Sequence, residues 1–319
     1  MGEMAEASGL NEDDTRRILL HAMTHRIFRQ EDKNMVVHTA ASRAIREVPL
    51  LANWIDAGCE WILPAAAHVV NSMAKSPGSE EPNETAFSIS QNTSDPFFEA
   101  ISKFPGGSKR FADQMTFVQS DPSLDTAFVI DNYDWAMYES GTVVDVGGSH
   151  GLVMMELAKR FPSINCIVQD LPDVIASANV LVDQGFARRV QFQAHDIFQE
   201  QPVKGADVYF LRQILHDWGD KYSILILRNL IPALKPGARI VINDRIIPEP
   251  GSLPPVQERL VRSSDLVMKA LFNSKERDTE MWTSLLQRAD PKLRVLGVKA
   301  PLGSALAIIE VVWDGEGVE

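Results

Sequence analysis

Cysteine and positive charge are both scarce in this sequence. Cys59 and Cys166 are the two cysteines among 319 residues. Two distant thiols without a CxxC spacing exclude a disulfide framework and a zinc ribbon, and they indicate a reducing compartment. The 31 Lys and Arg are outnumbered by 43 Asp and Glu, which gives a net charge of −12. Binding to nucleic acid or to an anionic membrane requires a basic face, so we expect neither partner.

Long hydrophobic runs are absent as well. No stretch approaches the eighteen consecutive apolar residues of a membrane-spanning helix. The first twenty residues are acidic and polar and lack the apolar segment of a signal peptide. We therefore expect a cytoplasmic protein without membrane association. Its 45% hydrophobic residues and its length predict a globular chain of about two domains.

The N-terminal region has the pattern of a helix followed by a hairpin. Asn11 can cap a helix whose first turn is acidic, and two short strand-like stretches follow at 27–29 and 35–39. A charged turn at Asp32 and Lys33 separates these stretches. This order is typical of winged-helix domains, which include DNA-binding and non-DNA-binding members, and the acidic balance favours the second use.

The middle of the chain reads as helical. Residues 49–75 and 96–138 have helical character, and the Pro-, Gly-, Ser- and Glu-rich stretch at 76–84 reads as a linker.

From residue 142 onward, strand patterns alternate with helix patterns. Strands are predicted at 142–146, 165–169, 190–194, 207–213 and 239–244, helices at 151–161, 174–184 and 221–234, and closing strands at 293–298 and 305–313. This alternation predicts an α/β fold, a Rossmann-like and mainly parallel sheet with helices on both faces. A smaller, mostly helical, winged-helix-like domain precedes it. We place the boundaries at 1–85 for the N-terminal region, 86–140 for a helical linker and pocket segment, and 141–319 for a cofactor-binding domain.

A glycine-rich turn follows the first strand of the predicted sheet, in the segment VVDVGGSHG at 143–151. Glycine lets the backbone approach a ligand closely, and a helix N-terminus offers amide donors. Asp170 ends the next strand, where an acid can accept hydrogen bonds from the two ribose hydroxyls. The turn lacks the GxGxxG offsets of dinucleotide sites, so a nicotinamide cofactor is the weaker alternative. A turn without a ligand is the third.

The DxGxGxG pattern of methyltransferases fits better, although Ser149 replaces its middle glycine. Together with the blocks QDLPDVI, AHDIF, FLRQILHDWGD, ILRNLIPALKPGARIVINDRIIPEPG and MKALFNSKERD, this segment resembles the caffeic-acid-type O-methyltransferases, and above all the fungal ones of natural-product pathways. The resemblance runs from about Leu10 to the C-terminus. It implies S-adenosylmethionine as cofactor, S-adenosylhomocysteine as product, a small-molecule acceptor and an enzyme of secondary metabolism.

The resemblance also assigns roles to individual residues. It implies cofactor binding by Gly147, Gly148, Asp170, Leu171, Asp196, Ile197 and Arg212. It places His216 at the position of the catalytic base and matches Asp244 and Glu276 to the two flanking acids, where Asp244 is shorter than the usual Glu. The family normally begins with further helices that interlock two subunits. This chain starts almost at the winged-helix element, so the expectation of a homodimer rests on the resemblance alone.

The chemistry of these residue types suits methylation of a phenolic or enolic hydroxyl. A phenol has a pKa of about 10, and a neutral imidazole with a pKa near 6.5 can take its proton. A carboxylate fixes the imidazole tautomer and stabilises the imidazolium. In isolation, His216 would read as an exposed loop histidine. We expect no metal, because no His, Cys and carboxylate cluster with ligand spacing occurs in the sequence. Asp265 and Arg277 read as an ion pair on a helix surface.

Two other function classes remain open. Some fungal proteins similar to this family bind the same cofactor without transferring its methyl group and catalyse dehydrations or pericyclic reactions. A cofactor-binding or regulatory protein without catalysis is the second alternative. Formation of S-adenosylhomocysteine separates methyl transfer from the first alternative, and formation of any product separates both reactions from the second.

Overall fold

The computed structural model describes residues 1–32, 35–178 and 189–315 and divides the chain into two compact units. The first unit comprises Met1–Glu60 and Pro105–Val118, and the second comprises Trp61–Phe104 and Gln119–Glu319. The predicted boundaries at residues 85 and 140 follow sequence pattern rather than compactness, and they stay predictions.

The elements fall into two successive groups along the chain, a mostly helical one and one in which strands alternate with helices. The first group is α1 (Gly2–Ser8), α2 (Glu12–Thr24), β1 (Phe28–Asp32), β2 (Met35–His38), α3 (Ala40–Glu47), α4 (Leu51–Ala57), α5 (Leu63–Lys75), α6 (Ala86–Ser90), α7 (Phe97–Lys103), α8 (Gly107–Gln119) and α9 (Ala127–Asn132). The second group is β3 (Thr142–Val146), α10 (Leu152–Arg160), β4 (Asn165–Asp170), α11 (Pro172–Ala178), β5 (Val190–Ala194), β6 (Val208–Arg212), α12 (Asp220–Leu230), β7 (Arg239–Asp244), α13 (Pro255–Phe272), α14 (Thr279–Ala289), β8 (Leu293–Lys299) and β9 (Ala307–Trp313). Within the described ranges, no helix is both long and apolar enough to span a membrane.

The first unit contains the predicted helix and hairpin. The Asn11 side chain accepts a hydrogen bond from the Asp14 amide (2.9 Å) and caps α2, as predicted. Strands β1 and β2 pair antiparallel, and β1 extends to Asp32, beyond the predicted 27–29. Lys33, part of the predicted turn, lies outside the described residues. The helix and hairpin are present, and the assignment as a winged helix stays a prediction.

The second unit is built on a seven-stranded sheet in the order β5-β4-β3-β6-β7-β9-β8. Strands β3 to β7 pair in parallel, and β9 runs antiparallel to both β7 and β8. Alternate residues of β3 face opposite sides. Val144 packs in the cluster that contains Leu227 of α12 and Leu285 of α14, and Val143 packs in the cluster that contains Met154 of α10. Helices therefore cover both faces of a mainly parallel sheet, which confirms the predicted fold class.

The helical middle region is more broken than the sequence indicates. A π-helical turn at Gly58–Ile62 separates α4 from α5, within the predicted stretch 49–75. The predicted stretch 96–138 divides into α7, α8, α9 and two 3₁₀ turns. Pro105 and Pro122 stand at these breaks, because proline cannot donate the main-chain hydrogen bond that continues a helix. The predicted helix at 174–184 corresponds to α11, and its residues 179–184 lie outside the described part of the chain.

Candidate active site at the carboxyl edge of the sheet

The predicted site residues follow the carboxyl ends of five parallel strands. The glycine turn follows β3, Asp170 ends β4, Asp196 follows β5, His216 follows β6 and Asp244 ends β7. Since parallel strands end at one edge, these residues share that edge of the sheet. The strand order reverses between β3 and β6, and ligands of open α/β sheets bind at such a reversal.

The glycine turn has a geometry that side chains would disrupt. Gly147 has φ +77°, and a Cβ atom there would lie 2.5 Å from Cδ1 of Ile214. A Cβ atom on Gly148 would lie 2.5 Å from Cγ of Asp145. The amides of both glycines donate to the carbonyl oxygen of Gln169, at 2.8 and 2.9 Å. The turn is thus fastened to the end of β4, and side chains at these two positions would clash with Ile214 and Asp145.

Asp170 lies directly beside this turn. Its carboxylate accepts hydrogen bonds from the Ser149 amide (2.9 Å) and from the Leu171 amide (2.8 Å). Burial raises the pKa of Asp170, and the hydrogen bonds from these two amides oppose the rise. Leu171 is 53% exposed, an apolar side chain open to solvent beside the carboxylate. An acid beside a glycine turn and an exposed leucine suits a nucleoside with free ribose hydroxyls.

The remaining predicted cofactor residues are engaged with the protein itself. Asp196 accepts a hydrogen bond from the Phe198 amide (2.9 Å), and Ile197 packs against the hydrophobic core. Arg212 donates to the Asn243 side chain and to the carbonyl oxygen of Leu124. Burial lowers the pKa of Arg212, and neighbouring acids, Asp145 first, oppose this effect. Arg212 therefore links the ends of β6 and β7, and its contact with a cofactor stays a prediction.

His216 lies among three carboxylates. Its Nδ1 atom is 3.4 Å from Oε1 of Glu276, a hydrogen-bond distance, and 3.8 Å from Oδ1 of Asp244. Its Nε2 atom is 3.6 Å from Oδ1 of Asp217. The structure thus brings together the predicted trio of His216, Asp244 and Glu276, although the shorter Asp244 stays beyond hydrogen-bond distance. Asp217, which the sequence placed beside the base without a role, faces the opposite ring nitrogen.

These carboxylates change the protonation of the ring. Burial alone would lower the pKa of His216, but Asp244, Asp217 and Glu276 together raise it to about 10. Burial raises the pKa of Asp244 and of Asp217 to about 6, and His216 opposes both shifts. Burial would raise the pKa of Glu276. The hydrogen bond and the charge of His216, with smaller effects of Arg245 and Ser264, outweigh burial and lower the pKa. The three carboxylates thus place the pKa of His216 above the ordinary imidazole value near 6.5 that the sequence argument used.

The same trio lies close enough together to hold a metal ion. One ligand atom from each of His216, Asp244 and Glu276 lies within 4.8 Å of the others. Among the described residues, Oδ2 of Asp244 and Oε2 of Glu276 are buried without a hydrogen-bond partner. Folding gathers these ligands from positions 216, 244 and 276, so a search for local ligand spacing could not detect them. That a metal is unnecessary stays a prediction.

Several supporting residues escaped the sequence argument. Ser264 donates to Oε1 of Glu276 (2.9 Å), and Asp265 accepts from the Glu276 amide (2.9 Å). Arg277 was interpreted as one half of a surface ion pair with Asp265, which is wrong, because it is fully buried and pairs with Asp220 (3.0 Å). Its position next to Glu276 in one of the resembling blocks was the available signal.

The linker-like stretch at 76–84 is held against the start of α12, which follows the turn at 215–218 that carries His216. Glu80 accepts a hydrogen bond from the Lys221 amide (2.5 Å) at the start of α12, where Gly219 supplies no side-chain cap. Glu81 accepts from the Lys221 ammonium (2.5 Å) and from the Tyr222 hydroxyl (2.7 Å). The interpretation as a linker is therefore wrong. Its abundant Pro, Gly and Ser form an irregular segment that side-chain contacts hold in place.

Comparison with known proteins places the chain among methyltransferases. Residues 71–290 match the model of the O-methyltransferase domain family. The chain is 40% identical over 313 residues to O-methyltransferase kk1A of Curvularia clavata, covering 98% of this chain and 73% of that protein. It is 42% identical over 304 residues to chlorophenol O-methyltransferase of Trichoderma longibrachiatum, covering 93% and 65%. The chain thus spans about two thirds to three quarters of the length of these relatives.

Solved structures share the fold. The mitomycin 7-O-methyltransferase MmcR has a TM-score of 0.80 at 25% identity, covering 98% of this chain and 87% of that one. A pericyclic reaction enzyme has a TM-score of 0.75 at 24% identity, covering 98% and 79%. The second likeness shows the fold alone.

Proposed function

Because the chain belongs to the O-methyltransferase domain family, we propose that it transfers the methyl group of S-adenosylmethionine to a hydroxyl of a small, natural-product-like acceptor. The acceptor hydroxyl is phenolic or enolic, and His216 is the general base. The observation that carries this proposal is the hydrogen bond between Nδ1 of His216 and Glu276 at the carboxyl edge of the sheet (3.4 Å). This bond holds Nδ1, and an acceptor hydroxyl would approach Nε2, which lies 3.6 Å from Oδ1 of Asp217.

The cofactor side of the site consists of Gly147, Gly148, Asp170 and Leu171. The glycine turn would hold the amino-acid and ribose end, Asp170 would accept from the ribose hydroxyls, and Leu171 would lie against the adenine. When bound, S-adenosylmethionine supplies a methyl group on a positively charged sulfur. Asp196, Ile197 and Arg212 complete the proposed set.

His216 takes the acceptor proton at Nε2. Its Nδ1–H donates to Glu276, so the tautomer is fixed and Nε2 is the basic nitrogen. The three carboxylates raise the pKa of His216 and hold a second proton on the ring. The ring must lose that proton before Nε2 can accept one from the acceptor hydroxyl. The ring becomes an effective base once another positive charge shares the field of the three carboxylates.

Cofactor binding is tested by calorimetric titration with S-adenosylmethionine. We expect micromolar binding by the intact chain and loss of binding in Asp170→Ala. Asp173→Ala is the matched control, because Asp173 is exposed three residues further on. Binding that survives Asp170→Ala would reject the ribose role of this residue. A folded chain that binds no cofactor would reject the proposed cofactor site.

Turnover is tested with S-adenosylmethionine and a panel of phenols that begins with chlorophenols, the acceptor class in the name of one relative, by measuring S-adenosylhomocysteine. His216→Gln is expected to lower kcat by about 100-fold or more, the usual contribution of a general base. The control His21→Gln changes an exposed histidine of α2 and should leave kcat intact. Conversion of an acceptor without S-adenosylhomocysteine would favour the non-methylating alternative. Cofactor binding without any product across the panel would count against catalysis.

A further inference from the structure

Arg277 is buried against the turn at 215–218, which carries His216. Its side chain is fully shielded from solvent and lies one residue after Glu276. Nη1 donates to the carbonyl oxygen of Leu215 (2.8 Å), and Nη2 donates to that of Trp218 (2.9 Å). These two carbonyl groups bracket His216 and Asp217. One guanidinium therefore fixes both ends of the short segment that carries the base.

The charge of Arg277 is balanced at the start of α12, directly after this turn. Nε and Nη2 donate to Oδ1 of Asp220, at 3.2 and 3.0 Å, and Nη2 also donates to the Ser223 hydroxyl (3.2 Å). The guanidinium carbon lies 5.2 Å from the ring centre of Trp282. A planar group with donors in a fixed fork is thus held at several points, which a flexible ammonium could not reproduce.

The main chain of Arg277 reaches the third member of the trio. Its carbonyl oxygen accepts a hydrogen bond from the Ile247 amide (3.0 Å), and it forms a parallel bridge with Ile246. Ile246 lies two residues after Asp244. Residue 277 is therefore connected to His216 through its side chain, to Glu276 through the chain, and to the Asp244 segment through its backbone.

We propose that Arg277 is a positioning residue that sets the distance and angle between the His216 ring and its carboxylates. The proposal rests on the proposed function, in which His216 is the base. Ser274 acts on the same loop from another side, since its hydroxyl donates to the carbonyl oxygen of His216 (2.5 Å). Arg277 touches no acceptor or cofactor in this role and acts only through the loop.

A matched control exists in Arg228. This arginine also donates to two main-chain carbonyl oxygens, those of Ala289 and Arg288, each at 3.0 Å. It links α12 to α14 and does not contact the loop at 215–218. Arg228 is exposed, so Arg228→Lys controls for losing an arginine fork to main-chain carbonyl groups away from His216, whereas Arg277→Lys also changes a buried position.

The experiment records the ring-nitrogen resonances of His216 in ¹⁵N-histidine-labelled protein, assigned by their loss in His216→Gln. We expect Arg277→Lys to shift or broaden these resonances and Arg228→Lys to leave them unchanged. With an active phenol of the panel, kcat of Arg277→Lys should fall about 100-fold, since a displacement of about 1 Å costs that much. The calorimetric Kd for S-adenosylmethionine should stay within about twofold.

The outcomes separate this proposal from the proposed function. Disturbed His216 resonances together with a lowered kcat in Arg277→Lys support both the positioning role and the proposed function. If the intact chain turns over no acceptor, disturbed resonances support the positioning role alone. Undisturbed resonances, or equal changes in Arg228→Lys, overturn the positioning role. If Arg277→Lys does not fold, Ser274→Ala tests the same loop with a milder change. Its His216 resonances must move, or the loop does not control the ring.

Discussion

Asp217, which faces Nε2 of His216, offers a direct test of how the carboxylates act on the pKa of this ring. Asp217 lies 3.6 Å from Nε2 of His216, and its side chain is 24% exposed. Asp217→Asn removes its charge, while Glu276 keeps its hydrogen bond to Nδ1. The pKa of Asp217 is about 6, so its charge acts on the ring above that pH. We expect the pKa of His216 to fall in this variant.

The size of this fall follows from the distance. Two unit charges about 4 Å apart interact by about 4 kcal/mol at an effective dielectric constant of about 20, and about 1.4 kcal/mol corresponds to one pKa unit. The upper bound is therefore a fall of about three units. Because solvent reaches Asp217, we expect about one to two units, from about 10 to between about 8 and 9.

The assay is an NMR titration of the His216 ring, with the resonance assigned by its absence in His216→Gln. Asp173→Asn is the control, because Asp173 is exposed on α11 and its loss should leave the titration unchanged. A His216 pKa near 6.5 in the intact chain would refute the inference that the three carboxylates hold a proton on the ring. An unchanged pKa in Asp217→Asn would refute the contribution of Asp217.

Three further predictions concern stability. Gly147→Ala should lower the free energy of unfolding by about 1–3 kcal/mol and weaken cofactor binding, and Gly205→Ala, at a similar φ of +72° with open space around it, should lower it less. Equal losses in urea unfolding would count against the clash of a Gly147 side chain with Ile214. Glu80→Ala removes the cap on the Lys221 amide and should cost about 1 kcal/mol, whereas unaltered urea unfolding would reject that role. The stabilisation from His216 should be fully present below pH 6.5 and disappear as pH rises towards about 10, so the unfolding free energies of intact chain and His216→Gln should converge; a constant difference would contradict the raised pKa.

The sequence predicts the sheet closely because buried parallel strands are nearly continuous apolar runs. The predicted strands 142–146, 190–194 and 239–244 coincide with β3, β5 and β7. The helical middle region is less predictable, since helical periodicity extends through stretches that proline and a π-helical turn interrupt. The attachment of segment 76–84 depends on partners about 140 residues away, and its composition alone indicates an unattached loop.

The site is predictable in its members and not in its electrostatics. His216, Asp244 and Glu276 could be matched one by one, and the fold gathers them. Their effect on the ring depends on distances and burial that residue type does not determine, so the raised pKa of His216 had no sequence signal. Arg277 shows the same limit, because a charged residue beside a helix pattern is usually exposed, and its burial follows from carbonyl partners in another segment.

The reversal of strand order between β3 and β6 has a consequence for building chimeric enzymes. Segments before the reversal carry the glycine turn and Asp170, and segments after it carry His216, Asp244 and Glu276. A crossover in the loop after Ile197 and before β6 would therefore exchange the half that bears the proposed base, and of the proposed cofactor residues it would exchange only Arg212. Such a hybrid must keep both the glycine at 147 and a side chain at 214 that packs against it, because these two positions belong to different halves. Recombination among relatives that retain this pair is the natural route to a library of altered acceptor preference.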